Sequence, residues 1–192
     1  MIQTVRGKTP VIGEDTYIHP TATLIGDVRV GKRCSIWPNV VIRGDVHSIE
    51  IADEANIQDG TIIHATYQRC GTFVGPRVSV GHGVILHGCR VEEASLIGMG
   101  CVIMDLAVIP KHSLVGAGSL VTENATFPEG HLILGRPAKA VRKLTPDEIE
   151  RLEQSCRNYL LYKTWYENET EPASGHENAQ PSLKAASSER KK

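Results

Sequence analysis

A chain of 192 residues, 41% apolar and 22% charged, has material for one sizeable core and is neither disordered nor collagen-like in composition. With 21 basic and 22 acidic residues the net charge is -1. That leaves no footprint for a phosphate backbone beyond the short basic tip Arg190-Lys191-Lys192, so nucleic acid is not an expected partner. The N-terminal stretch MIQTVRGKTPVIGEDTYIHP has neither a long apolar run nor a small-residue cleavage site, which reads as a soluble, cytoplasmic chain without a membrane partner.

From Ile18 onward a six-residue period takes over. Aliphatic residues recur at Ile18, Leu24, Val30, Ile36 and Ile42, then at Ile51, Ile57 and Ile63, then at Val74, Val80 and Leu86. The longest run is Val91, Ile97, Ile103, Ile109, Val115 and Val121. Four positions after each aliphatic stands a small or branched residue, as in Ala22, Val28, Cys34, Val40 and Val46, and Gly often follows the aliphatic directly. Neither a helix nor an ordinary strand has this period. A solenoid of short strands that turns a corner every six residues does, with the aliphatic inside and the small residue near the bend. Its interior is narrow, which accounts for 34 Val plus Ile against two Phe. Hexads at three to a coil make roughly six coils, stacked at about the 4.8 Å strand spacing.

The expected units are a parallel β-helix over 1–126 with a short lead-in, a connecting segment 127–144, a helix 145–169 and a disordered tail 170–192. Thr145-Pro146-Asp147-Glu148 opens the helix with an N-cap, a proline at the first helical position and a glutamate three residues on, a capping box. Ile149, Leu152, Cys156, Tyr159, Leu160, Lys163 and Tyr166 then fall at helical spacing, so one face packs along the solenoid or a neighbouring subunit. The tail is rich in Glu, Ser, Pro, Asn and Lys. Five cysteines, Cys34, Cys70, Cys89, Cys101 and Cys156, form no CxxC and are odd in number, which fits free thiols in a reducing compartment.

Three of the eight histidines cluster: His64 in NIQDGTIIH, and His82 and His87 in GHGVILHGC. Three imidazoles with an open fourth position suit a catalytic zinc, while surface histidines on a solenoid are more often simply solvated. Register favours the first reading. His64 follows Ile63 and His87 follows Leu86, so both hold the same slot. If Arg69 to Phe73 is a loop extruded at a corner, the two lie one coil apart on one face and can share a metal. His82 falls in another slot, and a neighbouring subunit is better placed to supply it. Arg43-Gly44-Asp45 interrupts the apolar run VVIRGDV, and Asn56-Ile57-Gln58-Asp59 precedes His64. Charges set into rungs need partners, which a subunit interface offers.

RGD, NIQD, the first histidine and the GHxxxLHGC stretch resemble the γ-class carbonic anhydrases, within the hexapeptide-repeat superfamily, over roughly residues 8 to 168. The resemblance implies a left-handed β-helix that forms a homotrimer. It implies that His64 and His87 of one subunit and His82 of the next bind Zn(II), with Fe(II) and Co(II) as alternatives. It further implies that Gln58 orients metal-bound hydroxide, that Asn56 supports the site, and that Arg43 with Asp59 forms an intersubunit pair near Asp45. The implied reaction is reversible hydration of CO2 to bicarbonate by metal-bound hydroxide at the trimer interfaces. At two positions where the γ enzymes carry acidic proton-transfer residues, this chain has Val46 and the carboxylate-free segment ATYQRCGTF. Tyr159 is the candidate compensating polar group in the pocket, against a role in helix packing. Cys89, beside Gly88, reads as a small core residue rather than a ligand.

The principal alternative is a hexapeptide acyltransferase using coenzyme A thioesters. Gly135-Arg136-Pro137-Ala138-Lys139 resembles a segment common near the end of such enzymes, but a general base needs one histidine and leaves the register of three unexplained. A thioesterase acting through the metal site and a non-catalytic assembly subunit are the remaining readings.

Overall fold

In the computed structural model, which describes residues 1–167, the chain is a left-handed parallel β-helix with one C-terminal helix. The tail from 170, expected to be disordered, lies outside the described residues. Most strands are two or three residues long because each hexad ends in a corner, and several corners are turned by residues with positive φ, among them Asn39, Glu54, Ala94 and His112. The strands stack into three columns of parallel pairs. One column runs through Leu24, Ile42, Ile63, Leu86, Ile103 and Val121. The second runs through Val30, Ile51, Val74, Val91 and Ile109. The third holds Ile18, Ile36, Ile57, Val80, Ile97, Val115 and Ile133.

Those aliphatics are the core. Leu24, Ile36, Ile42, Ile57, Ile63, Leu86, Ile97, Ile103 and Ile109 are fully buried, and the small residues Ala22, Cys34, Val40, Cys101 and Ala107 fill the bends between them. The glycine that follows an aliphatic leaves space for the adjoining coil. A Cβ on Gly98, for example, would lie 2.5 Å from the backbone nitrogen of Ala117. The segment 127–144, expected as a connection, carries the strand His131–Gly135, which adds a further rung to the third column, and the strand Ala138–Lys143, which returns antiparallel to it. The solenoid therefore makes about seven turns rather than six.

The six-residue spacing breaks at three places, and all three lie between the first and second columns. Between Ile42 and Ile51, one residue, Asp27, stands opposite four, Asp45 to Ser48. The slot given by the period to Val46 is taken instead by Ile49, which pairs with Val28 and is fully buried, while Val46 is only half-buried. Between Ile63 and Val74 the chain extrudes a small turn closed by the Thr66 to Cys70 bridge, so Thr72 and Phe73 already belong to the next strand. The expected loop at Arg69 to Phe73 is thus shifted, with the register of Val74 unaffected. Between Leu86 and Val91 the spacing is one residue short, and Gly88 takes the bend with positive φ.

The helix Pro146–Glu167 opens on the expected reciprocal cap: Glu148 N donates to Thr145 Oγ1 at 3.2 Å, and Thr145 N donates to Glu148 Oε2 at 2.9 Å. It lies along the third column, burying Leu152 and Cys156. Arg77 Nε donates to Glu153 Oε2 at 3.2 Å, and Lys163, 3% exposed, donates to the backbone oxygen of Asp15 at 2.9 Å. Among the described residues no helix is long and apolar enough to cross a membrane.

Candidate metal centre divided between two edges

The strands Ile62–His64 and Ile85–His87 are neighbours in the first column, and His87 pairs in register with His64. Alternation along each strand turns the middle residue inward, so the histidines stand on the outer surface at the strand ends. Their ring centroids are 5.2 Å apart, and His64 Nδ1 lies 3.2 Å from His87 Nε2. Each opposite nitrogen is held by a carboxylate: His64 Nε2 by Asp45 Oδ1 at 3.0 Å, and His87 Nδ1 by Asp105 Oδ1 at 2.6 Å. Arg43 donates to the other oxygen of Asp45 at 2.6 Å. Against the cost of partial burial, the hydrogen bonds from Arg43 and His64 hold the Asp45 carboxyl below its ordinary value.

An ionised carboxylate only accepts, so each imidazole presents an N–H to its aspartate, and a neutral ring then keeps a lone pair on the other nitrogen. Two lone pairs then face each other across 3.2 Å. That contact is unfavourable unless a proton or a cation lies between them. Two nitrogens bound tetrahedrally at the usual Zn–N length are separated by about 3.3 Å, so the spacing and the donor chemistry fit a divalent first-row cation.

His82 belongs to a second group. It lies in the turn that precedes the strand Ile85–His87, whereas His87 ends that strand, so the width of the first column separates them. Its Nδ1 is 2.9 Å from Asp59 Oδ2. Next to Asp59, Gln58 Nε2 donates to Asn56 Oδ1 at 3.0 Å, and Asn56 Nδ2 donates to Ser79 Oγ at 2.8 Å. Gln58, Asn56 and Ser79 are all buried. Tyr159, from the helix, packs edge-on against Trp37 at 5.6 Å and lines a cleft with Asp59, Trp37, Tyr162, Trp165 and Tyr166. Burial and the nearby charge of Asp59 push the Tyr159 phenol up to about 12.

The ten side chains thus sort into two half-sites. One edge carries Arg43, Asp45, His64, His87 and Asp105; the other carries Asn56, Gln58, Asp59, His82 and Tyr159. Within one chain Arg43 pairs with Asp45 rather than Asp59, and Asp59 pairs with His82. Among the described residues of the single chain no group of three or more His, Cys, Asp or Glu is arranged to hold a metal ion. Between the half-sites Ile62 and Ile85 stand side by side, 45% and 38% exposed, an apolar patch on the surface that carries the histidines. Cys89 is buried and its thiol pushed up to about 12, chiefly by burial, which takes it out of the ligand set.

Asp105 was not marked by the repeat pattern. It reaches His87 from the adjoining coil, a relation the hexads alone do not mark, although it is the one acidic residue between Glu93 and Glu123.

The family model for the bacterial transferase hexapeptide (six repeats) matches residues 9–44. The chain is 46% identical over 166 residues to a protein named carbonic anhydrase from Geobacillus kaustophilus, covering 86% of this chain and 91% of that one. It is 42% identical over 164 residues to γ carbonic anhydrase 2, mitochondrial, of Arabidopsis thaliana, covering 83% of this chain but only 59% of the plant protein. Among solved structures, a hexapeptide transferase family protein from Anaplasma phagocytophilum superposes with a TM-score of 0.83 at 38% identity, covering 86% of this chain and 98% of that one. Repeat, histidine register and identity over nearly the whole of the Geobacillus protein agree: the chain belongs to the γ-class carbonic anhydrase-like family of hexapeptide-repeat proteins.

Proposed function

We propose that the protein is a metal-dependent carbonic anhydrase that hydrates CO2 reversibly at the interfaces of a homotrimer. The observation that carries the reading is the pair of facing imidazole nitrogens, His64 Nδ1 and His87 Nε2, 3.2 Å apart with their opposite nitrogens held by aspartates. Two ligands from one chain and a third, His82, at the far edge of the same surface are supplied together only when one copy's edge meets the next copy's. Two different edges meeting head to tail make a ring when the rotation between copies closes, which for three copies is a third of a turn. Exposed Ile62 and Ile85 gain from being covered there, and half-exposed Arg43 and Asp59 on opposite edges offer the charge pair that fixes orientation.

His64 and His87, with His82 of a neighbouring copy, would hold Zn(II), Fe(II) or Co(II), which would supply a Lewis acid that makes water a nucleophile near neutral pH. The residues of this chain then have separable roles. Asp45 keeps His64 in the lone-pair tautomer. The Ser79, Asn56 and Gln58 hydrogen-bond series fixes the Gln58 amide and leaves its carbonyl oxygen to accept from a hydroxyl. Tyr159, kept neutral by burial and by Asp59, remains a donor at working pH and can hold an oxygen of bicarbonate. With Val46 and no carboxylate in the Thr66–Cys70 turn, proton export falls to solvent and buffer, so turnover is slower than in γ enzymes with acidic shuttles.

The test is metal content per subunit and CO2 hydration of protein prepared with and without chelator, for wild type and His82→Ala. The expected result is one metal per subunit in the wild type, with loss of metal and of hydration in His82→Ala. Stoichiometric metal without hydration rejects the anhydrase reading and retains the site. Coenzyme A retained in native mass spectra with no metal bound replaces it with acyl transfer.

A further inference from the structure

The metal reading leaves His87 needing a fixed orientation, since it is half-exposed at the end of its strand. Its orienting group, Asp105, is 6% exposed and lies on the next coil, where Leu106 N donates to Gly88 O at 2.7 Å and locks the two corners together. Asp105 is held from the far side as well. Its Oδ2 accepts from Thr66 Oγ1 at 2.5 Å and from Arg69 Nη1 at 3.3 Å, both from the turn that breaks the repeat. Arg69 in turn reaches Glu123 at 3.0 Å. Only Oδ1 is left for His87, and Gly88 provides the space, because a Cβ there would lie 2.7 Å from that oxygen.

We infer that Asp105 is a positioning residue of the metal half-site: it fixes His87 as the Nδ1–H tautomer, so that Nε2 carries the lone pair offered to the cation, and the extruded turn Thr66–Cys70 is its clamp. The inference rests on the metal reading above and adds a residue and a turn to it. It also gives the five-residue insertion a purpose within the site: without that turn, neither Thr66 nor Arg69 would reach the coil that carries Asp105. The competing account is structural, with Asp105 merely stapling the turn to the adjoining coil.

Cobalt separates the two accounts. Apo-protein is titrated with Co(II) against a competing chelator, and its visible absorption, assembly state and Tm are recorded for wild type, Asp105→Ala, Asp105→Asn and Arg69→Gln. For Asp105→Ala the Co(II) affinity is expected to fall about 10–100-fold. Asp105→Asn keeps the shape and an acceptor, so Tm and assembly are expected to hold while the cobalt bands shift and affinity drops by less. Arg69→Gln removes the longer of the two clamp contacts and leaves the Thr66 and His87 bonds in place, so it is expected to lower cobalt affinity by less than Asp105→Asn; a larger loss than in Asp105→Asn overturns the assignment of the orienting role to Asp105. If Asp105→Ala does not fold, Asp105→Asn decides alone. Unchanged cobalt affinity and spectrum in Asp105→Asn, or a lowered Tm as the sole effect of both substitutions, overturns the positioning role and leaves the metal site standing. Failure of the assembled wild type to take up cobalt overturns the metal reading and this inference with it.

Discussion

Gly88 sits where three constraints meet. Its φ is +56°, and a Cβ would lie 2.5 Å from Cys70 Sγ and 2.7 Å from Asp105 Oδ1. Gly88→Ala therefore combines left-handed backbone strain of about 1–2 kcal/mol with displacement of a carboxylate that cannot retreat, because Thr66 and Arg69 hold its other side. A lowered midpoint in chemical denaturation is expected, larger than for alanine at Gly60, where no atom lies within 4 Å of the added carbon. Equal effects at the two positions reduce the argument to backbone strain alone. At this scale the sequence was informative for His64 and His87, because each follows an inward aliphatic and the period carries them to one surface. It was silent on Asp105, whose partner is reached through space across the coil spacing. Val46 and Ile49 were ambiguous for a different reason: both are branched aliphatics, and a period cannot say which side of an insertion keeps the slot.

The helix is tied to the solenoid through its first turn. Arg142 on the last strand donates twice to Glu148, at 2.8 and 2.6 Å, and this contact, with the Thr145 backbone bond, brings the Glu148 carboxyl from its ordinary 4.5 down to about 2. A carboxyl depressed on folding contributes stability that is complete above its unfolded value and is lost as pH falls through its folded one. The cap is thus expected to loosen between about pH 4.5 and pH 2. Trp37, packed between Tyr159 and Tyr166 of the helix, reports this as a change in fluorescence during acid titration. Glu148→Gln is expected to show a weaker cap at neutral pH and no transition in that window; an unaltered acid transition assigns it to another carboxylate. The helix itself was legible in Thr145-Pro146-Asp147-Glu148, whose side chains cap locally. The strands His131–Gly135 and Ala138–Lys143 were not, since a solenoid rung needs its neighbour to make it a strand, and the aliphatic pattern had thinned by that point.

For the whole molecule the division of the site predicts complementation. In a ring built from His82→Ala and His87→Ala chains, an intact site forms wherever the first chain offers His64 and His87 to the His82 of the second. Rings of either variant alone are expected to bind no metal, and mixed rings to recover about one site in three. Metal analysis after co-refolding measures this directly, and no recovery on mixing sinks the shared-site reading. A cation held between chains also stabilises the ring by mass action, so chelation is expected to lower Tm, and added metal to restore it.

All three breaks in the six-residue count fall at the corner between the first and second columns. Elsewhere the rungs are bound to their neighbours above and below, and an added residue would turn every following aliphatic out of the core. At this single corner the coil has been lengthened twice and shortened once, while the columns on either side stayed in step from Leu24 to Val121 and from Val30 to Ile109. The corner behaves as an adjustable joint in an otherwise fixed scaffold. Chemistry at the edge it borders can be retuned by loop length alone, and descendants of one solenoid could diverge in activity without any change to the stack that folds them.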